Sequence, residues 1–310
     1  MTTRGAASPG PSAKSIVVVG SLNMDLVLRV SRAPAAGETL MGRQFSVVPG
    51  GKGANQAVAC ARLGAPVTLI GSLGADAFGA QLRQAMAGDG IDTTHVVTDD
   101  RSATGVAMIQ VDDDGQNRIV VVSGANATLE PIHVDAASAA IDRAALMILQ
   151  LEVPLATVEH AVDRAVRAGL PVLLNPAPVL ALPDRLWPKI DYLIPNESEA
   201  SALAGIPVTD PSSAMEAAWI LRSRGVRHVL VTLGRQGVVI VGPDDARHLA
   251  ARSVQAVDTT AAGDTFIGGV AVGLREGMTL WEAADLGQRA AALCVTRHGA
   301  QPAIPFRAEL

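Results

Sequence analysis

Short, unbroken apolar runs alternate along the chain with longer stretches rich in Ala and Leu. The runs SIVVVG (15–20), VTLIGSLG (67–74), ALMILQL (145–151), PVLLNP (171–176), DYLIPN (191–196) and HVLVTLG (228–234) lack polar alternation. That is the pattern of parallel strands buried on both faces. Residues 53–63, 77–88, 154–168 and 211–224 read as the helices between them. The alternation predicts an α/β fold: a doubly wound, mostly parallel sheet with helices on both faces. Residues 25–48 and 104–122 depart from it, with period-two character and turn residues, and the second contains DDDG as a hairpin turn. These two regions are expected to form a small β-sheet lid on the α/β body. No linker divides the chain, so residues 15–310 are expected to be one domain carrying that lid. Residues 1–14 are rich in Gly, Pro and small side chains and read as a disordered tail, without the apolar stretch of a signal peptide.

Composition narrows the function classes. Hydrophobic residues make up 49% of the 310 positions and charged residues 18%, enough for a sizeable core. Net charge is −5, aromatics are 3% and no long basic run occurs, which disfavours a nucleic-acid partner. Cys60 and Cys294 are far apart and form no CxxC pair, as suits a reducing compartment. No run reaches the length of a membrane span, so a cytoplasmic protein is expected.

Several familiar ligand motifs are missing. Lys52 is followed by Gly53, not Ser or Thr, and the first Gly of a Walker A loop is absent. SLNMDL follows the first strand where a dinucleotide fingerprint would stand. Asp112–Gly115 lacks the alternating ligands of a calcium loop, and the histidines show no metal-ligand spacing. What remains are polar groups at strand carboxyl ends, where α/β proteins place ligands. Asn23 and Asp25 follow the first strand, and Glu152 follows LMILQL. In PGGKGANQA (49–57) three glycines allow close backbone approach to a small ligand, and Asn55 follows at a helix start. Asn196 and Glu199 share one face of a first helical turn. In DTTAAGDTF (258–266) small residues precede a carboxylate, Asp264, where a helix should begin. Each has a plainer reading as a turn, a cap or a solvated charge.

Taken in order, GSLNMDL, PGGKGANQA, QLE, NPAPV, PNESEA, VTLGRQGV, DTTAAGDTF and VTRHGAQPAIP resemble the motifs of the PfkB family of carbohydrate and nucleoside kinases over about residues 16–306. GGKGAN together with AAGD points within that family to the ribokinases. Ala261 stands where the family signature D-T-x-G-A-G-D has its first Gly. The resemblance implies ATP-dependent phosphorylation of D-ribose to D-ribose 5-phosphate, with Mg2+ and K+. It implies sugar contacts from Asn23, Asp25, Gly51, Lys52, Asn55 and Glu152. Asn196, Glu199, Thr232, Gly234, Gly237 and Gln288 would lie along the nucleotide and its magnesium. Ala261, Ala262 and Gly263 would form an anion hole beside Asp264 as the base. Asp258, Thr260, Cys294, Arg297, Gly299 and Ala303 would surround potassium, several through backbone carbonyls. Ribokinases often carry a hydroxyl near Ala303 and an Asn or His near Gln288.

Those roles make chemical sense. Phosphoryl transfer needs positioning and charge stabilisation, which N–H groups at a helix N-terminus supply. Asp and Glu accept, and Asn both donates and accepts, as a polyol requires. The apolar lid residues Ala107, Ile109 and Val121 are candidates to pack on the sugar or on a partner lid, so a homodimer through the lids is expected. The alternatives are a kinase of the same family for another sugar or a nucleoside, a non-catalytic sugar-binding regulator, and, weakened by the missing fingerprint, a dehydrogenase.

Overall fold

The computed structural model describes residues 14–113 and 116–310. The expected tail (save Lys14) and the last two residues of the DDDG turn lie outside the described residues. The strands are β1 Ile16–Val19, β2 Asn23–Arg29, β3 Gln44–Gly50, β4 Val67–Gly74, β5 Asp92–Asp99, β6 Gly105–Val111, β7 Asn117–Val122, β8 Leu146–Leu149, β9 Val172–Leu174, β10 Tyr192–Leu193, β11 His228–Thr232, β12 Val238–Val241 and β13 Ala246–Leu249. Nine of them form one sheet in the order β13-β12-β11-β10-β9-β8-β1-β4-β5. It is parallel from β5 through β11, and β12 and β13 add antiparallel at the far edge. The doubly wound reading therefore holds. β1 shows why its run is continuously apolar: Ile16 and Val18 join one core layer while Val17 and Val19 join the other.

The helix Ala262–Arg275 carries the candidate base and is fixed by glycines. A Cβ on Gly268 would sit 2.4 Å from the Cβ of Ala59, and one on Gly269 would sit 2.5 Å from Gly287 Cα. Its neighbours, Lys52–Arg62 and Leu280–Cys294, thus approach nearly backbone to backbone. That leaves little room for the helix to slide, as expected of close-packed interiors.

The second sheet has four strands in the order β3-β2-β6-β7. It is built from the two period-two regions, beginning two residues earlier than expected, at Asn23, and ending two later, at Gly50. Register aligns Val48–Asp25–Ala107–Val121 and Ser46–Val27–Ile109–Ile119 on one face. The opposite face carries Val47–Leu26–Met108–Val120, of which Val47, Met108 and Val120 are solvent-exposed. Among the described residues no helix is long and apolar enough to cross a membrane.

Candidate active site

Two cavities meet at the carboxyl end of the large sheet. The first, about 750 Å³, lies between the small sheet (Asp25, Ser46, Ile109) and the loops holding Asp258, Thr260 and Gly299. The second, about 220 Å³, is lined by Lys52, Asn196, Glu199, Thr232, Gly263 and Asp264, with Thr259 shared between them. Of the residues expected along the nucleotide, Gly234, Gly237 and Gln288 line neither cavity; Gln288 donates to Leu249 O at 3.0 Å.

Asp264 sits in the first turn of its helix but does not cap it. The N-cap position belongs to Ala261, which holds a left-handed conformation (φ 58°) that strains a non-glycine residue. Asp264 Oδ2 accepts from Asn55 Nδ2 at 3.0 Å and Oδ1 accepts from Gln56 Nε2 at 2.9 Å. A carboxylate nearly buried at 9% exposure is thereby satisfied on both oxygens. No side-chain atom of Gly263 exists to crowd the second cavity, and a Cβ there would meet nothing within 4 Å.

The glycines of PGGKGANQA are required first by the chain itself. Cβ atoms on Gly50, Gly51 and Gly53 would lie 2.1 Å from the Asp25 carboxylate, 2.6 Å from Asn23 N and 2.5 Å from Ser21 N. The close approach is chain on chain: this loop packs onto the segment after β1. Glu152 seals the same junction, with Oε2 accepting from Ser21 Oγ at 2.5 Å and from Lys52 N at 3.2 Å. Asn23 is oriented by a residue not anticipated from sequence, Asn126, whose Nδ2 donates to Asn23 Oδ1 at 2.8 Å. Asn126 also holds the backbone of Leu22 through its N and O.

Asn196 and Glu199 make the capping geometry that was the plainer reading. Glu199 N donates to Asn196 Oδ1 at 2.8 Å, while Asn196 N donates to Glu199 Oε2 at 2.9 Å. Both nevertheless face the second cavity. Burial pushes the Glu199 carboxyl above its ordinary range, against the pull of its Asn196 bond and of Lys52. Burial opposes the charge on Lys52, but the surrounding Asp264, Glu152, Glu199 and Asp25 carboxylates outweigh it and raise the ammonium's pKa.

Asp258 bonds to the loops on either side of it and not to Arg297. Its Oδ1 accepts from Thr260 N (2.9 Å) and Oγ1 (2.6 Å), and its Oδ2 accepts from Gly299 N at 2.9 Å. Arg297 pairs with Glu309 at 2.7 Å. Burial works against the Asp258 charge, yet these bonds hold its pKa below the usual range. Cys294 places its Sγ 3.8 Å from Thr260 O, and Ala303 is buried in the turn Gln301–Ala303. The loops of Asp258–Thr260 and Gly299 are thus joined, with backbone carbonyls plus one carboxylate as their oxygens. Among the described residues no cluster of three or more His, Cys, Asp or Glu stands ready to hold a metal.

Burial, followed by the Glu152 and Asp264 carboxylates, pushes Asp25 up to about 7 from 3.8, against the lowering effect of Lys52. Because the folded pKa is raised, this group's contribution to stability is fully present below about pH 4. It is lost progressively as pH rises towards 7 and stays lost above. In the unliganded protein, Asp25→Asn should therefore raise thermal stability at pH 8 by up to a few kcal/mol, with little gain at pH 4. Melting curves across that range, showing no growth of the difference with pH, would contradict this account.

The pfkB family carbohydrate kinase profile matches residues 13–307. A ribokinase of Haemophilus influenzae is 45% identical over 296 residues, spanning 96% of this chain and 97% of its own. A deoxyribokinase of Salmonella typhimurium is 39% identical over 254 residues, 82% of this chain and 83% of its own. The structure of Arabidopsis thaliana ribokinase complexed with ribose and ATP superposes with a TM-score of 0.90 at 35% identity, covering 96% of this chain and 97% of that one. With a family match across nearly its whole length and relatives well above 30% identity, this chain belongs to the pfkB family of carbohydrate kinases.

Proposed function

We propose that this protein transfers the γ-phosphoryl group of ATP to the 5-hydroxyl of D-ribose, with Asp264 as the general base. The observation that carries the reading is Asp264 itself: a buried carboxylate in the first turn of a helix, lining the cavity of Lys52 and Glu199, which shares Thr259 with the cavity under the small sheet. Its ribokinase relatives support the choice of acceptor.

Ribose would lie towards the small sheet, its hydroxyls donating to Asp25 and to the free Glu152 oxygen and accepting from Asn23 and Asn55, with Gly51 and Lys52 closing the near side. ATP would enter past Asn196, Thr232, Gly234 and Gly237, with the adenine towards Gln288. The attacking hydroxyl oxygen forms a bond to the γ-phosphorus, the bond to the bridging oxygen of ADP breaks, and the hydroxyl proton passes to Asp264. The N–H groups of Ala261 and Gly263 and the ammonium of Lys52 would face the charge that collects on the transferring oxygens, joined by the N–H of Ala262 if it gives up its 3.2 Å bond to Thr259 O. The exposed small sheet acts as a lid that excludes water once sugar is bound.

Two ions fit the donors present. Glu199 and Asn196 offer oxygens for a largely hydrated Mg2+ shared with the phosphates, which would neutralise their charge. The carbonyl-rich surroundings of Asp258, Thr260, Cys294, Arg297, Gly299 and Ala303 suit a weakly hydrated K+, which would order the loop leading into the anion hole. Exchanging potassium for sodium or a bulky organic cation at constant ionic strength should lower kcat; an unchanged rate would remove this ion from the account and leave Asp264 in place.

Asp264→Asn should fold and bind ATP yet lose roughly 10²–10⁴-fold in turnover. Gly263→Ala, whose Cβ meets no protein atom within 4 Å, should be as stable as the parent but bind ATP poorly. Wild-type activity in either variant counts against the assignment. In an acceptor screen D-ribose should exceed 2-deoxyribose, fructose and adenosine, since a site that bonds a hydroxyl rejects the analogue lacking it. The Salmonella deoxyribokinase makes 2-deoxyribose the competing acceptor to watch; a preference for it would select that second reading.

The outward row Val47–Leu26–Met108–Val120 is proposed as the contact between two lids in a homodimer, because β7 is an edge strand exposed along its whole length. Sedimentation should give a dimer that Val120→Asp converts to monomer; a monomeric parent protein would refute the contact.

A further inference from the structure

Behind Asp264 lies a chain of buried side-chain amides that the sequence reading did not single out. Gln56, fully buried, donates from Nε2 to Asp264 Oδ1 at 2.9 Å and to Asn175 Oδ1 at 3.2 Å. Its own Oε1 accepts from Nε2 of Gln150, also fully buried, at 2.6 Å. The other carboxylate oxygen is served by a parallel arm: Gln301 Nε2 donates to Asn55 Oδ1 at 3.2 Å, and Asn55 Nδ2 donates to Asp264 Oδ2 at 3.0 Å.

The polarity of this network follows from the charge at its centre. An ionised carboxylate only accepts, so both amides touching it must present N–H. Each must then turn its carbonyl away, and that carbonyl must receive a donor from the next amide. Along the Gln56 arm the sequence of orientations ends at Gln150 Oε1, which is buried and has no hydrogen-bond partner among the described residues. An orphaned buried acceptor opposes folding. Gln150 is not oriented for its own satisfaction; it is oriented to fix Gln56, and Gln56 to fix Asp264.

The two arms are not equivalent. Asn55 belongs to the group placed at the sugar, so Oδ2 is the oxygen on the reacting side. Oδ1 faces Gln56 in the interior. We propose that Gln56, braced by Gln150, is a positioning residue for catalysis: its N–H on Oδ1 sets the rotation of the Asp264 carboxylate and leaves Oδ2 aimed at the attacking hydroxyl. This rests on the reading of Asp264 as the base. Without the Gln56 donor, Oδ1 is a desolvated oxygen with nothing to bond, so the carboxylate rotates.

The test compares Gln56→Met, which keeps the length and removes the donor, with Gln150→Met, which keeps the donor and removes its brace together with the orphaned carbonyl. For Gln56→Met, kcat should fall roughly tenfold to 10²-fold, the scale of a misplaced reacting group. The KM values for ribose and ATP should stay within about twofold, because those ligands bond other residues. Gln150→Met exchanges one orphaned buried carbonyl, its own, for another, that of Gln56, so it should melt close to the parent and yet lose several-fold in kcat. That combination distinguishes positioning from folding even if Gln56→Met folds poorly. Parental kcat in Gln150→Met or in Gln56→Met overturns the positioning role, as does a loss confined to KM. Asp264→Asn is run alongside: near-parental turnover there overturns the base itself, whereas an inactive Asp264→Asn beside an unaffected Gln56→Met overturns only the role of Gln56.

Discussion

The bonds from Asn55 and Gln56 to the Asp264 carboxylate join positions more than 200 residues apart in sequence, and the architecture around the site follows from making that meeting possible. A buried carboxylate costs several kcal/mol unless donors surround it. Donors can reach it only if the helices Lys52–Arg62 and Ala262–Arg275 run side by side at short range. Gly268 permits that range by letting the backbone come against Ala59, and Gly269 makes the same concession to Gly287 on the third helix. Packing and chemistry are one constraint here: a side chain at either glycine would push the carboxylate away from its donors.

The same region concentrates like charge. Asp25, Glu152, Glu199 and Asp264 all act on the single ammonium of Lys52. One cation cannot neutralise four carboxylates, and the strain appears where burial is deep and bonding poor, at Asp25. Asp264 receives an amide N–H on each oxygen, and Asp258 receives bonds from Thr260 and Gly299. Asp25 is the member left for a ligand to satisfy, and in the proposed complex a sugar hydroxyl would supply the donor. Stability would then be held back at the position where binding can return it.

How far the sequence could be read depended on how local each signal was. Buried parallel strands announce themselves by unbroken apolar runs, so β4 and β8 were legible. β5, DTTHVVTD, was not, because an edge strand half in solvent carries polar residues that read as loop. The hairpin β12–β13 continues the sheet antiparallel, outside the alternation on which the reading relied. At the site, Asp25 and Glu152 were noticed for their places at strand ends and Asp264 for its place at a helix start, while Lys52 entered through the family resemblance. Gln56, Gln150, Asn126 and Gln301 were not noticed. A buried amide looks like any other polar residue until the fold shows what it bonds, and no spacing rule links Gln150 to Gln56 across 94 positions. The glycines of PGGKGANQA were noticed for close approach, but that the chain itself approaches Gly51 and Gly53 shows only in the fold.

The loop proposed as the anion hole shows how the two kinds of signal combine. Ala261 occupies a left-handed conformation that a glycine would adopt without strain, at a cost of about 1 kcal/mol. That conformation persists only if the flanking chain leaves no alternative. On one side, Asp258 binds Thr260 N and Gly299 N and so pins the loop before the bend. On the other, Thr265 N and Oγ1 both donate to Ala261 O at 2.8 Å and pin the helix after it. Between those anchors Ala262 N–H is held on Thr259 O at 3.2 Å and the N–H of Gly263 has little freedom. A glycine at position 261 would relieve the strain and loosen the same groups. If the loop binds the transferring phosphoryl group as proposed, the alanine would trade a small loss of stability for groups oriented in advance, which is what electrostatic preorganisation requires.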